Sequence, residues 1–253
     1  MERGSIEKII QVGYTQGDRF ARMTPGNMLR EAQQIAMEHC DRLGYTVPEM
    51  LKLHRVFLLC KLHLTVERAP VEGERIRLIT RANAPKRIIY RRVCAFETLD
   101  GQRLATVDSR WALVDTRTRR ITREEIPGIS AHMLPAEDLE DIRARRVEYD
   151  AEEHPVRVTY SMQDTNRHVN NAFYADWACD ALEPLLVRGA RVKDMRLFYH
   201  REAQPGETVR IRSAHLDGAH YFSGDTESGH CFDAEVELTE PETEGEAPLP
   251  YYA

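Results

Sequence analysis

The stretch KLHLTVERAPVEGERIRL (61–78) returns further along the chain as DMRLFYHREAQPGETVRI (194–211). Both read as an alternating strand, a break containing Gly-Glu, and a second alternating strand. Arg68 falls on Arg201, Gly73 on Gly206, Glu74 on Glu207, Ile76 on Val209 and Arg77 on Arg210. Side chains two apart share one face of a strand. Leu62, Leu64 and Val66 therefore line one face in the first copy, and Met195, Leu197 and Tyr199 do so in the second. Period-two spacing around a glycine break is a hairpin signal. A chain that repeats itself in this way builds the same unit twice.

A helical pattern precedes each hairpin. In TPGNMLREAQQIAMEHCDRLG the residue types place Thr24 as N-cap, Pro25 at the first helical position and Gly44 as the stop. Met28, Ala32, Ile35, Ala36 and Leu43 form one apolar stripe. In the second half Phe173, Trp177, Ala181 and Leu185 do the same, and Pro184 ends the regular helix. Further strands follow each hairpin, with Asp100-Gly101 as a turn in the first half and Phe232, Ala234, Val236 and Leu238 alternating with charges in the second. Each half thus reads as an early strand, one long helix and an antiparallel meander. A sheet with one apolar face must be covered, and a single central helix covers it. The expected fold is α+β, a double hot-dog. Residues 1–134 form the first repeat, 135–153 a polar linker, 154–240 the second repeat and 241–253 a flexible tail.

Charge is divided between the halves. Within a net charge of -6, residues 1–133 sum to +7 and the remainder to -13. A basic face on the first half would suit an acidic partner, or the charges merely solvate strand faces. The basic residues interleave with apolar strand residues and no nucleic-acid motif accompanies them, so nucleic acid is not expected as a partner. No stretch approaches the ~18 uninterrupted apolar residues of a membrane span. The start, MERGSIEKIIQVGY, has no apolar signal-peptide core. The five cysteines are scattered, with no CxxC pair, which predicts neither disulfides nor a zinc site and fits thiols in a reducing cytoplasm.

The polar stretch DTNRHVNN (164–171) stands directly before the second helix. If 164–168 is extended, Asp164, Asn166 and His168 point the same way. The helix behind them offers free backbone N–H groups and a partial positive charge, where a carbonyl oxygen gaining negative charge is stabilised. Acid–base groups beside such a helix end suit acyl-transfer hydrolysis. A plain turn with an asparagine cap is the alternative reading of the same spacing. The first-half counterpart, GDRFARMTPGN, has no Asp-x-Asn-x-His, and Glu202 lines up with Ala69. The polar set belongs to the second half alone. Glu202 is then a general base, or a surface glutamate at a strand end.

These segments resemble the acyl-acyl carrier protein thioesterases of plant plastids and bacteria, a family with a tandem hot-dog fold. DTNRHVNNAFYADW is similar to that family's Asp-x-Asn-x-His-Val-Asn-Asn segment, YHREA to its Tyr-Arg-Arg-Glu-Cys segment, SRWALVDTRTRRITREEIP to its Trp-containing strand, and ERAPVEGERIRL to its Arg-Tyr-Pro-x-Trp-Gly-Asp turn. The likeness covers most of 10–240 and implies that Asp164, Asn166, His168 and Glu202 are the catalytic positions. Two departures stand out. Ala203 falls where plant members often carry cysteine, so a carboxylate must do the work. Ala69 and Glu72 replace the turn's aromatic residues.

The resemblance implies hydrolysis of a fatty acyl thioester on acyl carrier protein, with no metal or organic cofactor. Glu202 or Asp164 serves as base, or Asp164 attacks directly. Asn166 and His168 orient the base and substrate, and the N–H groups of Val169 and Asn170 stabilise the oxyanion. The acyl chain is expected between helix and sheet of the first half, with Met28, Ala32 and Ile35 setting its depth. The acidic carrier would dock on Lys86, Arg87, Arg91, Arg92, Arg117, Arg119, Arg120 and Arg123. A coenzyme A thioesterase and a non-catalytic acyl-binding protein are the alternatives. A hydratase is disfavoured, because hot-dog hydratases use a longer motif with an intervening proline. The expected setting is a bacterial cytoplasm, with the chain a monomer or a homodimer.

Overall fold

In a computed structural model, residues 4–137 and 142–241 are described. The proposed flexible tail falls, from residue 242 on, outside them. The first half contributes β1 (Ser5–Gln11), α1 (Pro25–Arg42), α2 (Val47–Lys52), β2 (Arg55–Val66), β3 (Arg75–Lys86), β4 (Ile89–Thr98), β5 (Arg103–Asp115) and the short β6 (Arg120–Ile121). The second contributes β7 (Glu153–Arg157), α3 (Phe173–Ala181), α4 (Glu183–Leu186), β8 (Val192–Tyr199), β9 (Thr208–Leu216), β10 (Ala219–Thr226) and β11 (Gly229–Leu238).

One antiparallel sheet runs β1-β3-β4-β5-β2-β8-β11-β10-β9-β7. Read outward from its middle, each side visits its strands in the same order, so the sheet is two copies joined at β2–β8. The join is isologous. Leu62 pairs with Leu197 and Leu64 with Met195, while the repeat places Leu62 on Met195 and Leu64 on Leu197. At its centre His63 opposes Arg196, its own counterpart, and His63 Nε2 lies 2.6 Å from Asp194 Oδ2. The helices obey the same rule. Arg30 of α1 and Asp176 of α3 hold equivalent places and meet each other, with Nη2 2.5 Å from Oδ2.

Local chemistry sets the elements. Thr24 caps α1, its hydroxyl accepting from the Asn27 N–H at 3.3 Å, with Pro25 in the first turn. Gly44 stops the helix at φ +83, a conformation that suits a residue without Cβ. One apolar core runs through both halves. It takes Met28, Leu29, Ala32 and Ile35 from α1, Tyr174, Ala175, Trp177 and Ala178 from α3, and the inward faces of both sheet halves. Each large side chain fully buried there contributes about 1.5–3 kcal/mol by leaving water.

The second helix differs from the expected long one. α3 has nine residues against eighteen in α1, and the chain breaks at Leu182 before Pro184 opens α4. Proline at an interior position would remove a helical hydrogen bond, so it sits in a new first turn instead. No helix among the described residues is long and apolar enough to cross a membrane.

Candidate active site

The segment 164–168 is a closed turn rather than an extended strand. The Asp164 N–H donates to His168 O at 3.0 Å and the Arg167 N–H to Asp164 O at 3.0 Å, with Arg167 at φ +67. Gln163 and Val169 pair across its base. Asp164 holds the turn from inside, its Oδ1 accepting from the Asn166 N–H at 2.8 Å. Asp164 and His168 approach because the turn folds back, not because alternate strand residues share a face. Asn166 is left at the exposed tip, its amide 3.5 Å from Asp164 Oδ2, and its hydrogen bonds go to Asp164 rather than to His168.

The turn and the β8–β9 connection meet at His168 and Glu202. His168 Nε2 lies 3.3 Å from Glu202 Oε1. Its Nδ1 lies 3.0 Å from Val169 O and 3.9 Å from Asp164 Oδ1. Both ring nitrogens thus face oxygen atoms. His168 and Asp164 are largely buried at 14% side-chain exposure, whereas Glu202 remains 46% exposed to solvent.

The loop that carries Glu202 is anchored on either side. Arg201 Nη2 pairs with Glu207 Oε1 at 3.1 Å, and Glu207 Oε2 accepts from the Gln204 N–H at 2.7 Å. Together these contacts outweigh the cost of burial and hold the Glu207 carboxyl below its ordinary range. Next to Glu202, Ala203 is fully buried, and its N–H donates to Tyr174 Oη at 3.1 Å. Burial pushes the Tyr174 phenol up to about 12.

Both expected oxyanion donors are already used. The Asn170 N–H donates to Met162 O at 2.9 Å in the ladder that closes the turn, and the Val169 N–H points the other way, to Ala203 O at 3.2 Å in the β8–β9 connection. Asn170 acts through its side chain instead. Its Oδ1 accepts from the Ala172 N–H at 2.9 Å, and its Nδ2 donates to Gln33 Oε1 on α1 at 3.2 Å. Among the described residues, nothing accepts from the N–H of Asn171, one position before the Ala172 cap of α3.

A narrow cavity of ≈ 30 Å³ lies between α1 and the first half of the sheet. Ala32 lines it together with Leu29, Gln33 and Ala36, and Asn171, Ala172 and Tyr199 close the end toward the turn. Ile35 does not reach it and is plain core, while Met28 faces a second, larger cavity of ≈ 410 Å³ near the start of α1. The cavity face of α1 is rotated by one position from the stripe that the apolar spacing picks out. Asn171, Tyr174 and Gln33 are not among the residues the sequence picks out, and Tyr199 is picked out only as part of an apolar strand face. The two tyrosines carry the signal that could have found them: a phenol in an apolar pattern needs a partner, and Tyr199 Oη donates to Asn171 O at 3.1 Å.

The eight basic residues separate into two groups. Arg92 turns inward to His39 Nδ1 and Thr80 Oγ1, both at 3.1 Å, lines the narrow cavity, and is pulled below its ordinary range by burial. Arg91 is half-buried and paired with Asp108 at 2.9 Å and with Glu137. Neither belongs to an open docking face. Lys86, Arg87, Arg117, Arg119, Arg120 and Arg123 are exposed. The β3–β4 and β5–β6 turns that hold Arg87, Arg117 and Arg119 lie at one end of the sheet, since Ile89 pairs with Ala112 near the end of β5.

The relatives agree with this architecture. The chain is 25% identical over 195 residues to a palmitoyl-acyl carrier protein thioesterase of Gossypium hirsutum, covering 69% of this chain and 46% of that one. It is 24% identical over 199 residues to oleoyl-acyl carrier protein thioesterase 2 of Arabidopsis thaliana, covering 70% and 54%. Both relatives are chloroplastic, and the chain spans about half their length. The fold matches the crystal structure of an acyl-ACP thioesterase from Bacteroides thetaiotaomicron (TM-score 0.83, 17% identity, 93% of this chain and 98% of that one). It also matches a putative oleoyl thioesterase from Lactobacillus plantarum (TM-score 0.84, 23% identity, 94% and 96%). Residues 5–127 match the family model of the acyl-ACP thioesterase N-terminal domain and residues 145–247 that of the C-terminal domain. Matched over most of its length by these two models, the chain belongs to the acyl-ACP thioesterase family.

Proposed function

We propose that the chain hydrolyses the thioester joining a fatty acyl chain to the phosphopantetheine arm of acyl carrier protein, releasing free fatty acid and the carrier thiol. The observation that carries this reading is the 3.3 Å approach of Glu202 Oε1 to His168 Nε2. Asn171 and Tyr199, which line the apolar cavity, stand three positions along the chain from His168 and Glu202 respectively. The first half supplies the acyl wall and the second supplies the acid–base groups.

Glu202 is the better base of the two carboxylates. It is open to a water molecule, whereas Asp164 is enclosed and committed to its own turn. Glu202 takes a proton from water as the oxygen attacks the thioester carbonyl. The carbonyl oxygen gains negative charge opposite the Asn171 N–H. As the intermediate collapses, the C–S bond breaks and the proton on His168 Nε2 passes to the leaving sulfur. Asp164 shapes the turn that presents His168, and Asn166 acts at its rim. The exposed basic turns around Lys86–Arg87 and Arg117–Arg123 are the proposed contact for the acidic carrier. The five free cysteines support a reducing compartment such as the cytoplasm.

The test is to incubate the purified protein with carrier protein charged with different acyl lengths and to follow free thiol. Turnover on at least one length supports the reading; no turnover on any length ends it. Supplying the same acyl group on coenzyme A separates the two carriers, and a faster rate there would favour the coenzyme A reading.

A further inference from the structure

A second polar cluster sits on the outer face of the second half of the sheet. On β11, Phe232, Ala234 and Val236 are buried, and Asp233, Glu235 and Glu237 alternate with them. Asp233 Oδ2 lies 2.9 Å from His200 Nε2 and 3.1 Å from His230 Nε2. The two imidazole rings stand 4.6 Å apart. His230 Nδ1 lies 2.9 Å from Asp225 Oδ1, and Asp225 is also paired with Arg212 at 2.7 Å. Tyr149 lies against Asp233 from the other side.

Protonated rings would satisfy these contacts by donating to the carboxylates. A neutral His230 that donates its Nδ1–H to Asp225 instead turns an Nε2 lone pair toward Asp233, and His200 aims a second nitrogen at the same oxygen. In that state a metal ion satisfies both nitrogens and the oxygen together. The three ligand atoms lie within 4.8 Å of one another. Tetrahedral zinc with bonds of about 2.0–2.1 Å sets its ligands about 3.3 Å apart, close to the two short edges already present. Asp225 stands where a carboxylate orients a metal-bound histidine through its far nitrogen. His200 is exposed, so a fourth position opens to solvent.

We propose that His200, His230 and Asp233 bind a divalent transition ion of the zinc class, with Asp225 holding His230 in its ligating tautomer. The ligands come from two separate parts of the chain, which is why no CxxC-like spacing announces them. The His200 N–H also donates to Cys231 O at 2.9 Å, and His200 stands two residues before Glu202. An ion here would clamp the loop that carries Glu202 onto β11.

The protein is stripped by dialysis against a chelator, then titrated with Zn²⁺ by calorimetry and with Co²⁺ by visible absorption. One ion per chain is expected at micromolar affinity or tighter, with binding lost in H200Q, H230Q and D233N. Asp225→Asn is expected to weaken it by about 10–100-fold. His200 lies on the surface, so H200Q keeps the test decisive should H230Q fail to fold. The stacked pair His215 and His220 on the neighbouring hairpin is the competing chelator, and H215Q is expected to bind as the wild type does. Lack of uptake by the wild type, or undiminished uptake by H200Q, overturns the proposal. Loss of uptake in H215Q with retention in H200Q overturns it equally.

Discussion

Asp18 and Asp164 occupy the same place in two loops whose backbones close with the same hydrogen bonds. Asp18 N–H donates to Arg22 O at 2.7 Å, as Asp164 N–H does to His168 O. Ala21 and Arg167 share a positive φ, of 59 and 67. The Met23 N–H reaches Pro70 O as the Val169 N–H reaches Ala203 O. Below each loop the same arginine–glutamate pair recurs, Arg68 with Glu74 and Arg201 with Glu207. Only the side chains differ. The first loop puts Arg22 where the second has His168, and Ala69 where the second has Glu202. Arg22 lies 3.1 Å from Asp18 and beside the larger cavity, with no base opposite it. Both halves carry the scaffold, and only the second carries the His168–Glu202 pair on it. The backbone of such a loop is therefore not sufficient for that pair.

That comparison can be broken most directly at Glu202. Glu202→Ala is expected to lower kcat/KM for acyl carrier substrates by about 10²–10⁴-fold, while Ala69→Glu leaves it unchanged; both follow from thiol release. Equal activity in E202A and wild type would remove the distinction between the two loops.

Next in size is the helix contact that both halves share. A Cβ at Gly26 would stand 1.8 Å from Asp176 Oδ1 and 2.9 Å from an Arg30 nitrogen. Gly26→Ala is expected to cost about 1–3 kcal/mol, read from denaturant melts, although the equivalent Ala172 carries a Cβ without penalty.

The paired glutamates sharpen the contrast. Glu207→Gln loosens the loop under Glu202 and is expected to lower kcat about 10-fold. Glu74→Gln makes the same change under a loop without a base and should leave kcat within error.

The smallest effect concerns a feature of the second half alone. Burial, and then the neighbouring His215, hold His220 below its ordinary value. The unfolded chain therefore binds that proton more readily than the folded one. The contribution to stability is complete above the unfolded value of about 6.5 and is lost as pH falls from there through the lower folded value. His220 is partly exposed, so the loss is a few tenths of a kcal/mol after screening. Thermal melts at pH 8 and pH 5 should show a smaller pH difference in H220Q than in wild type.

Much of this is legible in the amino-acid sequence. The repeat, the Thr24 cap, the Gly44 stop and the hairpins follow from local chemistry that tertiary packing did not override. The alignment of the two hairpins leaves Glu202 either a base or a surface glutamate, and it is the family resemblance that implies its partnership with the 164–168 segment. The turn is one of two readings the 164–168 spacing allows, and the positive φ of Arg167, which its side chain does not advertise, is what decides for it. Of the expected oxyanion donors, the closing turn takes the Asn170 N–H and the β8–β9 connection, distant in sequence, takes the Val169 N–H. Arg92 illustrates a further limit. Alternation puts it on a strand, but His39 and Thr80, distant in sequence, decide that it points inward.

The Arg30–Asp176 contact has a consequence for how such a molecule can be assembled. Were the unit built from two identical subunits, the residue on the axis would meet its own twin, and two arginines or two aspartates would repel. Linking both copies in one polypeptide allows each to mutate without the other. Opposite signs can then face across the centre, and a chain cut back to a pair of like subunits would forfeit that attraction.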